Sequence, residues 1–128
     1  MMNPVTILVV DDEDFIATSI AKALKKQGYS VILTSDFASS IKVINSGEID
    51  LVVSDVMLPF TGGIDIAEHI KTSSKLKHIP VILVTGMDRL ILEGSHVQAD
   101  EIITKPFEMV KLVESVNTHL KDKSLKNA

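Results

Sequence analysis

The chain has 128 residues, 45% of them hydrophobic, with no cysteine and a net charge of −4. That length suits one domain with a sizeable core, and the acidic balance speaks against a nucleic-acid binder, which needs clustered Lys and Arg. The lack of thiols excludes disulfides, thiol nucleophiles and Cys-ligated zinc, and fits a reducing compartment such as the cytoplasm.

A single domain over residues 1–128 is expected, with its core at 5–120 and a polar, frayed tail at 121–128. The first apolar run, Val5 to Val10, is far shorter than the roughly 20 residues a membrane span requires. Acids follow it instead of a small-residue cleavage site, so it reads as a strand and neither as a signal peptide nor as a span. Those acids are Asp11, Asp12, Glu13 and Asp14, and Asp14 is suited to capping a helix. Phe15, Ile16, Ser19, Ile20, Ala23 and Leu24 then share one face at helical spacing, and Gly28 is placed to end that helix. Val31–Thr34 is a second short strand; Ser35 or Asp36 can cap a helix carrying Phe37, Ile41 and Ile44, which Ser46-Gly47 stops.

Leu51–Ser54 is the third strand, followed by Asp55. Thr61-Gly62-Gly63 lacks the spacing of a phosphate loop and reads as the turn into a helix. That helix puts Ile66, Ala67 and Ile70 inward and ends near Ser73-Ser74. Pro80 introduces the fourth strand, Val81–Val84, because the residue before a proline is pushed toward extended geometry. Thr85-Gly86 follows. From Met87 to Gln98 only Leu90, Ile91, Leu92 and Val97 are apolar, and Gly94 interrupts them, which predicts a short or irregular fourth helix. Ile102–Thr104 is the fifth strand, followed by Lys105-Pro106. The last helix is expected to start at Pro106-Phe107 and to bury Val110, Val113, Val116 and Leu120, with Lys121 and Lys123 suiting its C-terminal dipole. The residues after Lys105-Pro106 suffice for one helix and a tail, not for a DNA-binding domain.

Short apolar runs alternating with helical segments are the pattern of an α/β fold, here a doubly wound parallel sheet of five strands. The first, third and fourth runs are almost unbroken Val, Ile and Leu, as in strands covered on both faces, and are expected at the centre. The second and fifth suit the edges.

In such a sheet, functional groups gather beyond the carboxyl ends of the strands. If the order is 2-1-3-4-5, Asp12 and Asp55 sit on neighbouring strands about 5 Å apart, with Thr85 and Lys105 one and two strands further along. Carboxylates this close repel one another and imply a divalent cation. Oxygen ligands with no His or Cys nearby select Mg²⁺. His69, His78, His96 and His119 are scattered singly, without metal-ligand spacing. A metal, a Lys ammonium and a hydroxyl are what phosphoryl transfer needs around its equatorial oxygens, and Asp55, alone on its strand, is the natural nucleophile. Each residue also has an ordinary structural use: acids cap helices, Asp55 suits a turn ahead of Pro59, Thr85 a strand end, Lys105 a solvated charge. Four such coincidences would be needed together.

Val9-Val10-Asp11-Asp12-Glu13, Ser54-Asp55-Val56-Met57-Leu58-Pro59, Val84-Thr85-Gly86 and Thr104-Lys105-Pro106-Phe107 resemble the signature stretches of response-regulator receiver domains of two-component signalling, the chemotaxis regulators among them. The resemblance runs from Val5 to about Leu120 and implies a flavodoxin-like fold. It implies that Asp55 accepts a phosphoryl group from a histidine kinase or histidine phosphotransfer protein, that Asp12 binds Mg²⁺ directly and Asp11 through water, and that Met57 offers its backbone carbonyl to the metal. Thr85 would hydrogen-bond the phosphoryl group and Lys105 would pair with it, across a cis Lys105-Pro106 bond. Such a domain acts on its own phosphorylation and is no turnover enzyme on external substrates. It would change its binding of a downstream protein, with a phosphorylation-dependent homodimer as one partner and with no direct nucleic-acid or membrane contact.

The sequence departs from that family in places. Ile102 stands where receivers usually carry Tyr or Phe, a ring thought to swing inward when Thr85 engages phosphate. Gly86 replaces the more frequent Ala, and the stretch between Thr85 and Lys105 is short. Output is therefore expected through another face or a rearranged fourth connection. Three other readings compete: a receiver-shaped interaction module that is never phosphorylated; a Mg-dependent aspartyl phosphatase of the haloacid dehalogenase class, through Asp12-x-Asp14; and a flavodoxin-like mononucleotide binder, disfavoured by the acidic loop after strand one.

Overall fold

The computed structural model of the chain describes residues 4–56, 62–86 and 98–126, with side chains to 121. Five strands, β1 (Thr6–Val10), β2 (Ser30–Thr34), β3 (Leu51–Asp55), β4 (Val81–Thr85) and β5 (Glu101–Thr104), form one parallel sheet in the order β2-β1-β3-β4-β5. Among the described residues the helices are α1 (Asp14–Lys26), α2 (Phe37–Asn45), α3 (Gly63–Lys71) and α4 (Met109–Lys126). The stretch expected as a short or irregular helix, 87–97, lies outside the described residues.

Alternation along the strands sends successive side chains to opposite faces, which divides the core in two. Leu8, Val10, Val52, Val81 and Leu83 face Ile44 of α2 and Ile66, Ala67 and Ile70 of α3. Ile7, Val9, Leu51, Val53, Ile82 and Val84 face Ile20 and Leu24 of α1 and Leu112, Val116 and Leu120 of α4. The central strands β1, β3 and β4 are buried almost throughout, whereas edge strand β2 leaves Leu33 exposed, as the purity of the apolar runs implies.

The helix ends follow local chemistry. Asp36 caps α2, its carboxylate accepting the Ser39 N–H at 2.8 Å. Gly28 and Gly47 take φ of +96° and +82° just past α1 and α2, conformations that favour glycine. At α1 the capping residue is Glu13, not Asp14, and no side chain makes the cap bond. Helix α3 stops at Lys71, two residues before Ser73-Ser74.

Two helical faces are rotated from the expected ones. Phe15 is 83% exposed, and α1 buries Ala17 and Ala21 beside the expected Ile20 and Leu24. Helix α4 begins at Met109, not at Pro106-Phe107, the Glu108 carbonyl being the one that receives the Lys111 and Leu112 N–H; the Lys105-Pro106 peptide is cis. With that start the inward residues are Leu112, Val116 and Leu120, Val113 is half-buried, and Val110 is 66% exposed. The backbone helix continues to Lys126, so 121–126, expected as part of a frayed tail, are helical, and 127–128 lie outside the described residues. Among the described residues no helix is long and apolar enough to cross a membrane.

Candidate functional site

The register of the sheet brings three carboxylates and one ammonium to its carboxyl edge. Val10 of β1 pairs with Ser54 of β3, so Asp11 and Asp55, the next residues, are neighbours across the two strands. Asp11 N–H donates to the Thr34 carbonyl at 3.2 Å, carrying the sheet ladder one step past β1 and holding Asp11 at the rim, only 3% exposed. Asp12, one residue further, is exposed. Carboxylate oxygens of Asp11, Asp12 and Asp55, one from each, lie within 4.8 Å of one another. On the far side the ladder between β4 and β5 also runs on, Lys105 N–H donating to the Thr85 carbonyl at 2.7 Å. From there the Lys105 side chain spans β4, and its Nζ donates to Asp55 Oδ2 at 2.8 Å while lying 3.9 Å from Asp11 Oδ2.

Electrostatics follow from this crowding. Burial raises the Asp11 carboxyl above its ordinary value; the Glu13 N–H, which donates to Asp11 Oδ1 at 2.9 Å, opposes that, the charge of Asp55 adds to it, Lys105 opposes it and Glu13 adds. For Lys105, burial acts to lower the ammonium, but the hydrogen bond and charge of Asp55, with the charges of Asp11 and Glu13, outweigh it and hold the group above the usual lysine value. The pocket is thus rich in anionic oxygen with one fixed cation at its edge. Three carboxylates, with neither sulfur nor imidazole in the group, are the donor set of a hard divalent ion, and Mg²⁺ fits it.

Of the residues singled out in the sequence, Asp11, Asp12, Asp55 and Lys105 meet here. Thr85 ends β4, fully buried at the same edge, on the strand next to Asp55. Met57 lies outside the described residues, as does Thr61. Asp14 stands exposed in the first turn of α1 and is not part of the acidic group, so the Asp12-x-Asp14 pair of a dehalogenase-type site is not assembled. Ile102 is half-buried against the cluster that contains Leu83.

Sequence reasoning missed three features around this edge. Glu13 contributes its backbone N–H to Asp11 in addition to the charge of its side chain. Ser54, read as the end of an apolar run and the start of a signature stretch but given no role of its own, is fully buried next to Asp55. Beside Lys105 a surface groove of about 340 Å³ is lined by Phe15, Ile16, Ser19, Pro106, Phe107 and Met109, mostly apolar side chains. The signal for Ser54 was present, a polar residue breaking a Val-rich central strand.

Comparison with known proteins agrees with this geometry. Residues 7–117 match the family described as the response regulator receiver domain. The chain is 36% identical over 118 residues to the regulatory protein VanR of Enterococcus faecium, covering 90% of this chain and 49% of that one. It is 37% identical over 118 residues to the phosphate regulon transcriptional regulatory protein PhoB of Pseudomonas aeruginosa, covering 91% of this chain and 52% of that one. The chain therefore spans about half the length of these relatives. Among solved structures, the response regulator TrrA of Thermotoga maritima, in complex with Mg²⁺ and BeF, superposes with a TM-score of 0.81 at 32% identity, over 91% of this chain and 99% of that one.

Proposed function

The chain belongs to the response-regulator receiver domains of two-component signalling, and on that footing we propose that Asp55 is its phosphoacceptor, fed by a histidine kinase or a histidine phosphotransfer protein in a Mg²⁺-dependent reaction. The observation that carries this reading is the 2.8 Å contact between Lys105 Nζ and Asp55 Oδ2, made beside the Asp11 and Asp12 carboxylates.

A carboxylate oxygen of Asp55 forms a bond to phosphorus as the P–N bond to the donor imidazole breaks, and the electron pair stays on that nitrogen. Lys105 is placed to follow the charge: paired with the Asp55 carboxylate beforehand, it can pair with the phosphoryl oxygens once the carboxylate becomes an acyl phosphate. Asp11 and Asp12, with Asp55, are the residues that would hold Mg²⁺, and Met57 is proposed to add its carbonyl. When bound, the ion supplies positive charge that neutralises the carboxylates and the equatorial phosphoryl oxygens. Thr85 is proposed as the hydroxyl partner of the phosphoryl group.

Turnover of external phosphomonoesters is no part of this reading, since Lys105 lies nearer the aspartate of β3 than that following β1, and Asp14 stands outside the acidic group. The exposed Phe15 and the groove beside Lys105 support docking of a protein donor, because they put an apolar contact surface next to the acceptor. The receiver unit, residues 1–128, is proposed to work in the cytoplasm and to act on a downstream protein partner, its own homodimer included. Its net charge of −4 supports the absence of direct nucleic-acid contact by this unit.

The test is intact mass after incubation with Mg²⁺ and acetyl phosphate. Wild type is expected to gain one phosphoryl group and Asp55→Asn none; equal gain by both would move the acceptor elsewhere, and no gain by wild type with metal bound would favour a silent module.

A further inference from the structure

Beneath the acceptor lies a polar residue that the scheme above does not use. Ser54 is fully buried on β3, in a strand whose other members before Asp55 are Leu51, Val52 and Val53. A valine would serve that core position better, since a buried hydroxyl is costly unless it is bonded. Its hydroxyl donates to the carbonyl oxygen of Asp55 at 3.0 Å.

The same oxygen is confined from a second direction. A Cβ at Gly63, the first residue of α3, would stand 2.3 Å from the Asp55 carbonyl oxygen and 2.8 Å from Ser54 Oγ. One at Gly62 would stand 2.4 Å from the Val56 carbonyl oxygen, which accepts the Gly63 N–H at 3.0 Å. Helix α3 is therefore seated on the Asp55-Val56 backbone with no side chain between them, and the Ser54 hydroxyl fills the remaining wedge.

We propose that Ser54 is a positioning residue for the reaction at Asp55. By holding the Asp55 carbonyl against Gly63, its hydroxyl fixes the Asp55-Val56 peptide and hence the direction in which the Asp55 side chain enters the pocket. Attack on phosphorus is sensitive to such direction, because a displacement of about 1 Å spoils near-attack geometry. The inference rests on Asp55 being the acceptor.

The experiment compares the full chain with Ser54→Ala and Ser54→Cys, the latter keeping a weak donor of similar size. Phosphoryl uptake from acetyl phosphate is timed at saturating Mg²⁺, and Mg²⁺ affinity and thermal melting are measured on the same samples. Ser54→Ala is expected to lower the maximal rate about fivefold to twentyfold, with half-saturating donor and Mg²⁺ affinity little changed, and Ser54→Cys to fall between. A Ser54→Ala rate equal to wild type, or a loss that tracks melting temperature or Mg²⁺ affinity alone, overturns the proposal. If Ser54→Ala does not fold, Ser54→Cys decides: a wild-type rate overturns, a reduced rate with retained Mg²⁺ affinity supports. Wild type that takes up no phosphoryl group sinks the acceptor reading itself, an outcome distinct from slowing confined to the variants.

Discussion

Lys105 Nζ sits 2.8 Å from Asp55 Oδ2 and crosses an intervening strand to get there, leaving Asp11 Oδ2 at 3.9 Å. One ammonium thereby counters two carboxylates that the sheet register forces together.

Replacing it exposes that repulsion. Lys105→Met is expected to destabilise the metal-free protein by about 1–3 kcal/mol, between the limits for exposed and buried pairs, as read by urea unfolding. Phosphoryl uptake should fall about a hundredfold, the scale of losing one fixed charge at a developing anion. Because the lysine is held above its usual value, the stability it contributes is complete below that value and disappears as pH rises through the folded one. Unfolding free energies of Lys105→Met that match wild type would show the pair to be idle.

Asp11 works in the other direction. A carboxyl raised by burial favours the folded state only while protonated, so its contribution is present below the ordinary Asp value and lost as pH rises through the folded one. At neutral pH the ionised group is a standing penalty. Asp11→Asn should therefore melt a few degrees above wild type in EDTA, with the gap narrowing in acid; a lower melting point would mean the charge is already compensated.

Mg²⁺ should reverse that ranking. A ligand of the folded state stabilises by mass action, about 2.7 kcal/mol at a hundred times its dissociation constant. Wild type is expected to gain that rise, and Asp12→Ala and Asp11→Asn to lose most of it. Protons compete for Asp11, so calorimetric Mg²⁺ affinity should begin to weaken at a higher pH than an ordinary Asp carboxylate would impose. Binding to Asp12→Ala as tight as to wild type would remove Asp12 from the metal group.

Helix α4 offers a test of register. Leu112→Ala should cost about 2–5 kcal/mol, the range for a buried leucine, whereas Val110→Ala at a 66% exposed site should stay within about 0.5 kcal/mol. The reverse order would place the helix one residue out of phase.

Phe15 separates docking from chemistry. Phe15→Ser should leave stability and acetyl phosphate uptake unchanged, because the ring is 83% exposed, yet slow transfer from a phosphohistidine protein. Equal transfer rates would remove the groove beside Lys105 from the donor's footprint.

Much of this molecule was legible in one dimension. Strand runs such as Leu51–Ser54 and Val81–Val84, the Asp36 cap and the Gly28 and Gly47 stops are local, written by side-chain period and turn chemistry within a few residues. So was the gathering of Asp11, Asp12, Asp55, Thr85 and Lys105 at one edge, since each stands at the carboxyl end of a strand and parallel strands all point the same way. Tertiary structure decided the rest. Which carboxylate Lys105 reaches depends on the Val10–Ser54 register and on β4 lying between, relations among segments about fifty residues apart. Helix rotation was decided there too: a 3.6-residue stripe is broad enough that Phe15 or Ala17, Val110 or Leu112, satisfies it, and only the packing of α1 and α4 against the sheet chooses between them.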